Sequence, residues 1–228
     1  MLPARSSLVL GILAVALPVA GCADFGNPAA AQGVTRNDLV AELASQLGGS
    51  ASLTYAATYQ LSGGDTATIA QAQHPPRTAY RYPGGEVLVT TAATTRCAKK
   101  ACTMTAPPTP TSPPPVTLFA DAQKAGLVTP AAVQNLLNAA RLDPDLTVEQ
   151  HDTTVAGRHA TCVELTNVDN AAARDFSTCI TSDGVVGSFT GLLGGKKVDV
   201  AMTDYADRVR NDAFDPPRAT TMVDQRRK

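Results

Sequence analysis

The sequence predicts an α+β fold in which an antiparallel sheet with one apolar face is covered on that face by two amphipathic helices. Three observations carry this. Leu53, Tyr55, Ala57, Tyr59 and Leu61 alternate strictly with polar or small neighbours, the period of a half-buried strand. Two segments place apolar residues at helical spacing instead. Between the remaining apolar runs stand Gly63-Gly64-Asp65, Pro83-Gly84-Gly85, Ser182-Asp183-Gly184 and Gly194-Gly195, turns short enough to join only antiparallel neighbours.

Taken in order, Thr35 to Leu47 reads as the first helix. Thr35 or Asn37 caps it, Leu39, Val40, Leu43 and Leu47 form one stripe, and Gly48-Gly49 ends it. The strand from Leu53 to Leu61 turns into Ala67 to Gln73. His74-Pro75-Pro76 interrupts or kinks the chain before Thr78 to Tyr82, and a further strand runs from Glu86 to Thr95. Residues 107 to 115 hold six prolines and exclude both helix and central strand. Leu118 to Ala125 forms a short helix ended by Gly126. Thr129-Pro130 opens a firmer one, with threonine as cap and proline in the first turn. Its buried stripe is Val133, Leu136, Leu137 and Ala140, and Asp143-Pro144 stops it. Five strands follow: Leu146 to Asp152, Thr154 to Thr166, Arg174 to Thr181, Val185 to Leu193 and Lys196 to Tyr205. Residues 207 to 228 carry Phe214-Asp215-Pro216-Pro217, which packs briefly, and 218–228 form a polar tail.

The N-terminus gives an address. Arg5 precedes an apolar run from Leu8 through Ala20, the arrangement of a secretory signal and too short to span a bilayer. It closes on Leu17-Pro18-Val19-Ala20-Gly21-Cys22, which resembles the lipobox of bacterial lipoproteins. The resemblance implies cleavage before Cys22 and diacylglyceryl transfer to its sulfur, anchoring the chain to the extracytoplasmic face of the cell membrane. Residues 22–34, small and polar, read as a flexible tether between that anchor and the body at 35–217.

Cleavage leaves 207 residues, enough for a sizeable core. The full chain carries a formal net charge of −1, and loss of Arg5 makes the mature form −2, so no global field recruits nucleic acid. Tryptophan is absent and aromatics make up 4% of the residues, so the core must be built from small and β-branched side chains.

Four cysteines remain beyond Cys22, and an exported chain meets conditions in which disulfides persist. Cys97 and Cys102 flank Ala98-Lys99-Lys100-Ala101, a loop that sets their sulfurs face to face at the base of a hairpin. In Thr161 to Leu165 the alternation turns Cys162 away from Val163, and in Phe176 to Ile180 it turns Cys179 away from Ile180. Both then lie on the face of adjacent strands opposite the core, which favours the pair Cys162–Cys179. Zinc is the competing reading, but C-x4-C with a lone C-x16-C lacks ligand spacing, so no metal is expected.

Nothing in the sequence assembles a catalytic group. His74, His151 and His159 show no H-E-x-x-H spacing, and Val186 to Thr190 does not match G-x-S-x-G. No phosphate loop or dinucleotide fingerprint is present, and no cofactor is expected. Asp143 and Asp145 are explained by helix termination, and Arg77 and Arg81, interleaved with Tyr80 and Tyr82, by a solvated face opposite a core face.

The N-terminal helix, the antiparallel run broken at Pro75-Pro76 ahead of Arg77, the central helices, and the closing meander through Tyr205 to Phe214-Asp215-Pro216-Pro217 resemble the lipoprotein-carrier superfamily, the LolA-like and LprG–LppX-like proteins. The likeness is one of element order over roughly residues 35 to 217, and together with the Ala- and Thr-rich composition it points to an actinobacterial source. It implies a strongly curved half-barrel whose concave side is covered by the helices, with an apolar cavity between them for acyl chains. The proline-rich loop and the two disulfides depart from that family's general pattern. Candidate lining residues are Leu39, Leu43, Leu47, Val133, Leu136 and Leu137 from the helices, with Tyr55, Tyr59, Val163 and Ile180 from the sheet. Pattern alone leaves open whether these enclose space or fill it. The expected activity is non-enzymatic: binding or carrying a lipid or other amphiphile. The alternative is an interaction or sensor module that grips a partner protein at the envelope through an edge strand or the proline-rich loop.

Overall fold

The computed structural model describes residues 28–109, 116–217 and 221–226. Cys22 with the signal segment, and residues 110–115 of the proline-rich loop, lie outside these. The chain runs α1 (Pro28–Gly49), β1 (Tyr55–Leu61), β2 (Thr66–Gln73), β3 (Pro76–Tyr82), β4 (Gly85–Thr90), β5 (Thr94–Ala98) and β6 (Ala101–Thr105). It continues with α2 (Ala120–Lys124), α3 (Pro130–Ala140), β7 (Thr147–Val155), β8 (Arg158–Thr166), β9 (Phe176–Thr181), β10 (Val186–Leu193), β11 (Lys196–Ala206) and β12 (Thr221–Asp224).

The twelve strands of the described residues form one sheet in the order β12-β6-β5-β4-β3-β2-β1-β11-β10-β9-β8-β7. Apart from β12, each half is a meander of hairpins, and the two join where β1 pairs antiparallel with β11. The result is the α+β curved half-barrel. Two bulges sharpen the bend, one at Thr58/Tyr59 against β11 and one between Val186 and Ser188 against β9. In the second half the β7–β8 hairpin curls back over the concave side. The Arg158 guanidinium carbon stands 4.3 Å from the Tyr205 ring centroid, and its Nε lies 3.3 Å from an Asp183 carboxylate oxygen.

Alternation decides which side chains enter the concavity. Tyr55, Ala57, Tyr59 and Leu61 of β1, Val163 and Leu165 of β8, and Phe176 and Ile180 of β9 are all buried in one core. The α1 stripe of Val40, Leu43, Ala44 and Leu47 and the α3 stripe of Val133, Leu137 and Ala140 close it from above. Thr129 caps α3 as its sequence predicts, its hydroxyl accepting from the Ala132 N–H at 3.3 Å. The contact of α1 with the β9–β10 turn leaves room only for glycine: a Cβ on Gly184, already at φ +82°, would stand 2.4 Å from the Gln46 carbonyl oxygen.

Several expectations are corrected. Helix α1 starts at Pro28, inside the segment read as tether. Proline suits a first helical turn and Ala29 to Ala31 are the best helix formers, so small residues there extend a helix. Of the two readings at His74-Pro75, interruption holds and the kink does not: it is the turn, with a cis His74–Pro75 bond, that pairs Gln73 with Pro76 across a hairpin. The strand expected over 86–95 divides into β4 and β5, because the Thr90 hydroxyl accepts from the Ala93 N–H and forms a turn that needs no glycine. Hairpin β7–β8 turns at Ala156-Gly157, both at positive φ, later than the boundary the polar residues suggest.

The sheet is also not covered on one side only. On the convex face Phe214 packs on Ala70, Ala72, Ala79 and Leu88 as a second core. Arg77 and Arg81 stand on that face, where they hold the C-terminal segment and are not simply solvated. Arg77 donates to Asn211 Oδ1 at 2.6 Å, and Arg81 to the Asp215 carbonyl at 3.0 Å and to Glu86 at 2.9 Å. Finally, residues 221–224 of the expected tail form β12, parallel to β6.

Candidate functional site

The concave side carries a cleft of about 560 Å³ at the mouth of the half-barrel, beside the buried core. One wall is the outer stripe of α3. At helical spacing Val133, Leu137 and Ala140 point into the core, which leaves Ala132, Leu136 and Ala139 on the neighbouring face, lining the cleft. Opposite stand Phe119 ahead of α2 and Leu127 behind it. The third wall is the β8–β9 connection, Asn170 to Ala172, with Leu193 at the end of β10. The polar lining residues are Gln123, Thr129, Asn135 and Asn170, and none bears a charge. An apolar concavity with a few uncharged donors and acceptors fits the uncharged, hydrocarbon-rich part of a small molecule.

Asp143 sets the position of the third wall. Its carboxylate accepts from the Asp169 N–H at 2.7 Å and from the Asp145 N–H at 3.0 Å, tying the end of α3 to the β8–β9 connection. Those bonds, the Asp169 one foremost, hold its carboxyl below the usual carboxylate range. The sequence reading of Asp143 as helix terminator captured its position and missed this second tie, which spans 26 residues. No local pattern signals such a partner.

A second cleft of about 490 Å³ lies between β5, β6 and the start of α2. Thr94, Thr103 and Thr105 line it, and Arg96 paired with Asp121 crosses it. Helix α2 and its flanks separate the two clefts. Phe119 meets the Tyr80 ring edge-on, centroids 4.8 Å apart, and burial pushes the Tyr80 phenol up to about 12.

The ten candidate lining residues fall together. Leu43, Leu47, Tyr55, Tyr59, Val133, Leu136, Leu137, Val163 and Ile180 belong to the main buried core, and Leu39 packs against it partly buried. Of these Leu136 also lines the larger cleft. The Tyr59 hydroxyl donates to the Val186 carbonyl at 3.0 Å, so its polar end is satisfied within the packing. Sequence reasoning missed Phe119, Leu127, Ala132, Ala139 and Leu193 as lining. The i, i+4, i+7 spacing of Ala132, Leu136 and Ala139 is the signal by which a second apolar face of α3 shows itself.

The cysteines pair as Cys97–Cys102 and Cys162–Cys179, each directly across neighbouring antiparallel strands. Their Cα atoms lie 4.0 and 3.9 Å apart. His74, His151 and His159 are exposed and separate. Among the described residues no group of three or more His, Cys, Asp or Glu side chains is placed to hold a metal ion, and no helix is long and apolar enough to cross a membrane.

What these elements define is an α+β half-barrel with a buried apolar core and an apolar cleft beside it. No protein-family model matches the chain, and no curated protein does. Solved structures of similar outline include an uncharacterized conserved protein from Thermus thermophilus, at 11% identity and a TM-score of 0.48, covering 82% of this chain and 99% of that one. MucB aligns at 13% identity and a TM-score of 0.45 over 87% of this chain and 66% of its own. LprF from Mycobacterium bovis aligns at 10% identity and a TM-score of 0.36 over 85% and 98%.

Proposed function

We propose that this is a cell-envelope lipoprotein, anchored through Cys22, that binds the apolar part of a lipid or similar amphiphile in the cleft between α2, α3 and the β8–β9 connection. The cleft itself carries the reading. Its volume of about 560 Å³ is in the range of small-molecule sites, and its uncharged lining selects against charged solutes. The lipobox supports it from the other direction, since a short connection to an acylated cysteine keeps the cleft within a few nanometres of the bilayer. The ligand would sit in this cleft, against the outer face of α3.

The test is native mass spectrometry of the purified full chain, followed by extraction of non-covalently bound lipid. A stoichiometric amphiphile, retained from the host or taken up from vesicles, is the expected result. A chain that neither carries nor acquires one overturns the reading.

A further inference from the structure

The apolar cleft lies at the end of the sheet where β8 passes into β9 and β10 turns into β11. Among the described residues the two most exposed large apolar side chains, Leu142 at 74% and Leu192 at 58%, flank it. Leu142 follows α3, its N–H donating at 3.1 Å to the carbonyl of Ala139, which lines the cleft. Leu192 precedes the lining residue Leu193 on β10 and by alternation points to the other side of that lip. Cations gather at the same lip. Lys197 and Lys196 stand opposite Leu192 and Leu193 across the β10–β11 hairpin, and no acidic residue lies between Val186 and Val198. The Lys196 ammonium donates to the Lys124 carbonyl at 2.7 Å, which draws the hairpin against the end of α2 beside the lining residue Gln123. Arg141, Lys196 and Lys197 form no salt bridge among the described residues. The carboxylates at this end stand on the β8–β9 side, where Asp143 and Asp175 accept from backbone N–H groups and Asp145 and Asp169 lie beside them.

Single exposed leucines are ordinary, but these two flank one apolar cleft and extend its apolar surface outward beside unpaired cations. A wholly apolar partner would strip water from the lysines and give them nothing in return, and a soluble acidic one would leave the leucines wet. A bilayer with anionic headgroups offers both layers: hydrocarbon for the leucines, and phosphate within reach of the long lysine stems. We propose that this end of the half-barrel docks onto an anionic bilayer, Leu142 and Leu192 entering the interface while Lys124, Lys196 and Lys197 meet headgroup phosphates. The docking rests on the anchoring through Cys22 and the amphiphile reading above. Five residues separate Cys22 from Pro28, a reach of at most roughly 20 Å, so the anchor keeps the body against the surface it docks on. An amphiphile then passes between bilayer and cleft without crossing water.

The chain contains no tryptophan, so Leu142→Trp and Leu192→Trp each install a lone indole at an exposed site. Thr154→Trp installs one near the β7–β8 turn, at the opposite end of the sheet. The full chain, purified from membranes, is reconstituted into vesicles of phosphatidylglycerol and brominated phosphatidylcholine and floated on a density gradient. Docking predicts that brominated acyl chains quench the indoles of Leu142→Trp and Leu192→Trp roughly twofold or more, and leave that of Thr154→Trp unchanged. Adding Lys196→Glu with Lys197→Glu, or omitting phosphatidylglycerol, should reduce the quenching severalfold. A floating chain in which either leucine site is unquenched, or Thr154→Trp is quenched as strongly, overturns the docking and leaves the anchor and the cleft standing. Quenching that survives charge reversal overturns the choice of an anionic bilayer. A chain that does not float overturns the anchoring, and the docking with it.

Discussion

The guanidinium carbon of Arg77 lies 4.3 Å from the centroid of the Phe214 ring, clamping the chain that follows β11 onto the convex face of β2, β3 and β4. Phe214 is 7% exposed, and its neighbours Ala70, Ala72 and Ala79 are too small to close around a gap. Phe214→Ala should therefore cost about 3 kcal/mol in a urea denaturation. Arg77→Lys should cost about 1 kcal/mol, because an ammonium keeps the charge and loses both the flat stacking and the bond to Asn211. A neutral Phe214→Ala would mean that the segment is not docked in solution.

Beside this clamp, Glu86 is 4% exposed and Arg81 reaches it at 2.9 Å. Removing the arginine leaves a buried carboxylate without its countercharge, and Arg81→Ala is expected to cost roughly 2–3 kcal/mol. Replacing both partners, Arg81→Met with Glu86→Leu, should recover most of the loss. Denaturation of the two singles and the double as a thermodynamic cycle checks this. Additive losses would show that the pair is not coupled.

Much of the core was legible because it obeys a period. The stripes of α1 and α3, the concave residues of β1 and the pair Cys162–Cys179 follow from spacings of 3.6 and 2, and Cys97–Cys102 from the short loop between them. What escaped follows no period. Phe214 and the Arg77–Arg81 face are joined by contacts between residues more than 130 positions apart. β12 is four residues long and held through its backbone, so its side chains carry no signal. The cleft was missed for a related reason. Its walls come from α3, α2 and the β8–β9 connection, and only the fold brings them together; the sequence pointed to the concave core beside it.

Asp143 makes the cleft sensitive to acid. Its carboxyl is held low in the folded protein by the Asp169 and Asp145 N–H groups, so the stability it contributes is present above the ordinary carboxylate range and is lost as pH falls through the depressed folded value. Thermal melts from pH 7 down to pH 3 should show Asp143→Asn starting lower than the parent and losing less on acidification. Parallel pH profiles for the two proteins would contradict this role.

The disulfides should differ in weight. Cys162 and Cys179 are 17 residues apart and Cys97 and Cys102 only 5. Chain entropy then assigns about 3 kcal/mol to the first and about 2 kcal/mol to the second. Paired Cys→Ala replacements, compared by denaturant midpoint, should follow that order, and the reverse order would show that loop length does not govern their contribution.

The most direct measurement is the amount of non-covalent lipid carried by Ala132→Phe relative to the parent chain. Ala132 is on the cleft face of α3, so a phenyl ring there occupies the cleft and leaves the inward stripe of Val133, Leu137 and Ala140 in place. With the melting temperature kept within a few degrees, bound amphiphile is expected to fall at least tenfold by native mass spectrometry. Equal occupancy in the two proteins would contradict a ligand site in this cleft and move any ligand away from the mouth of the half-barrel.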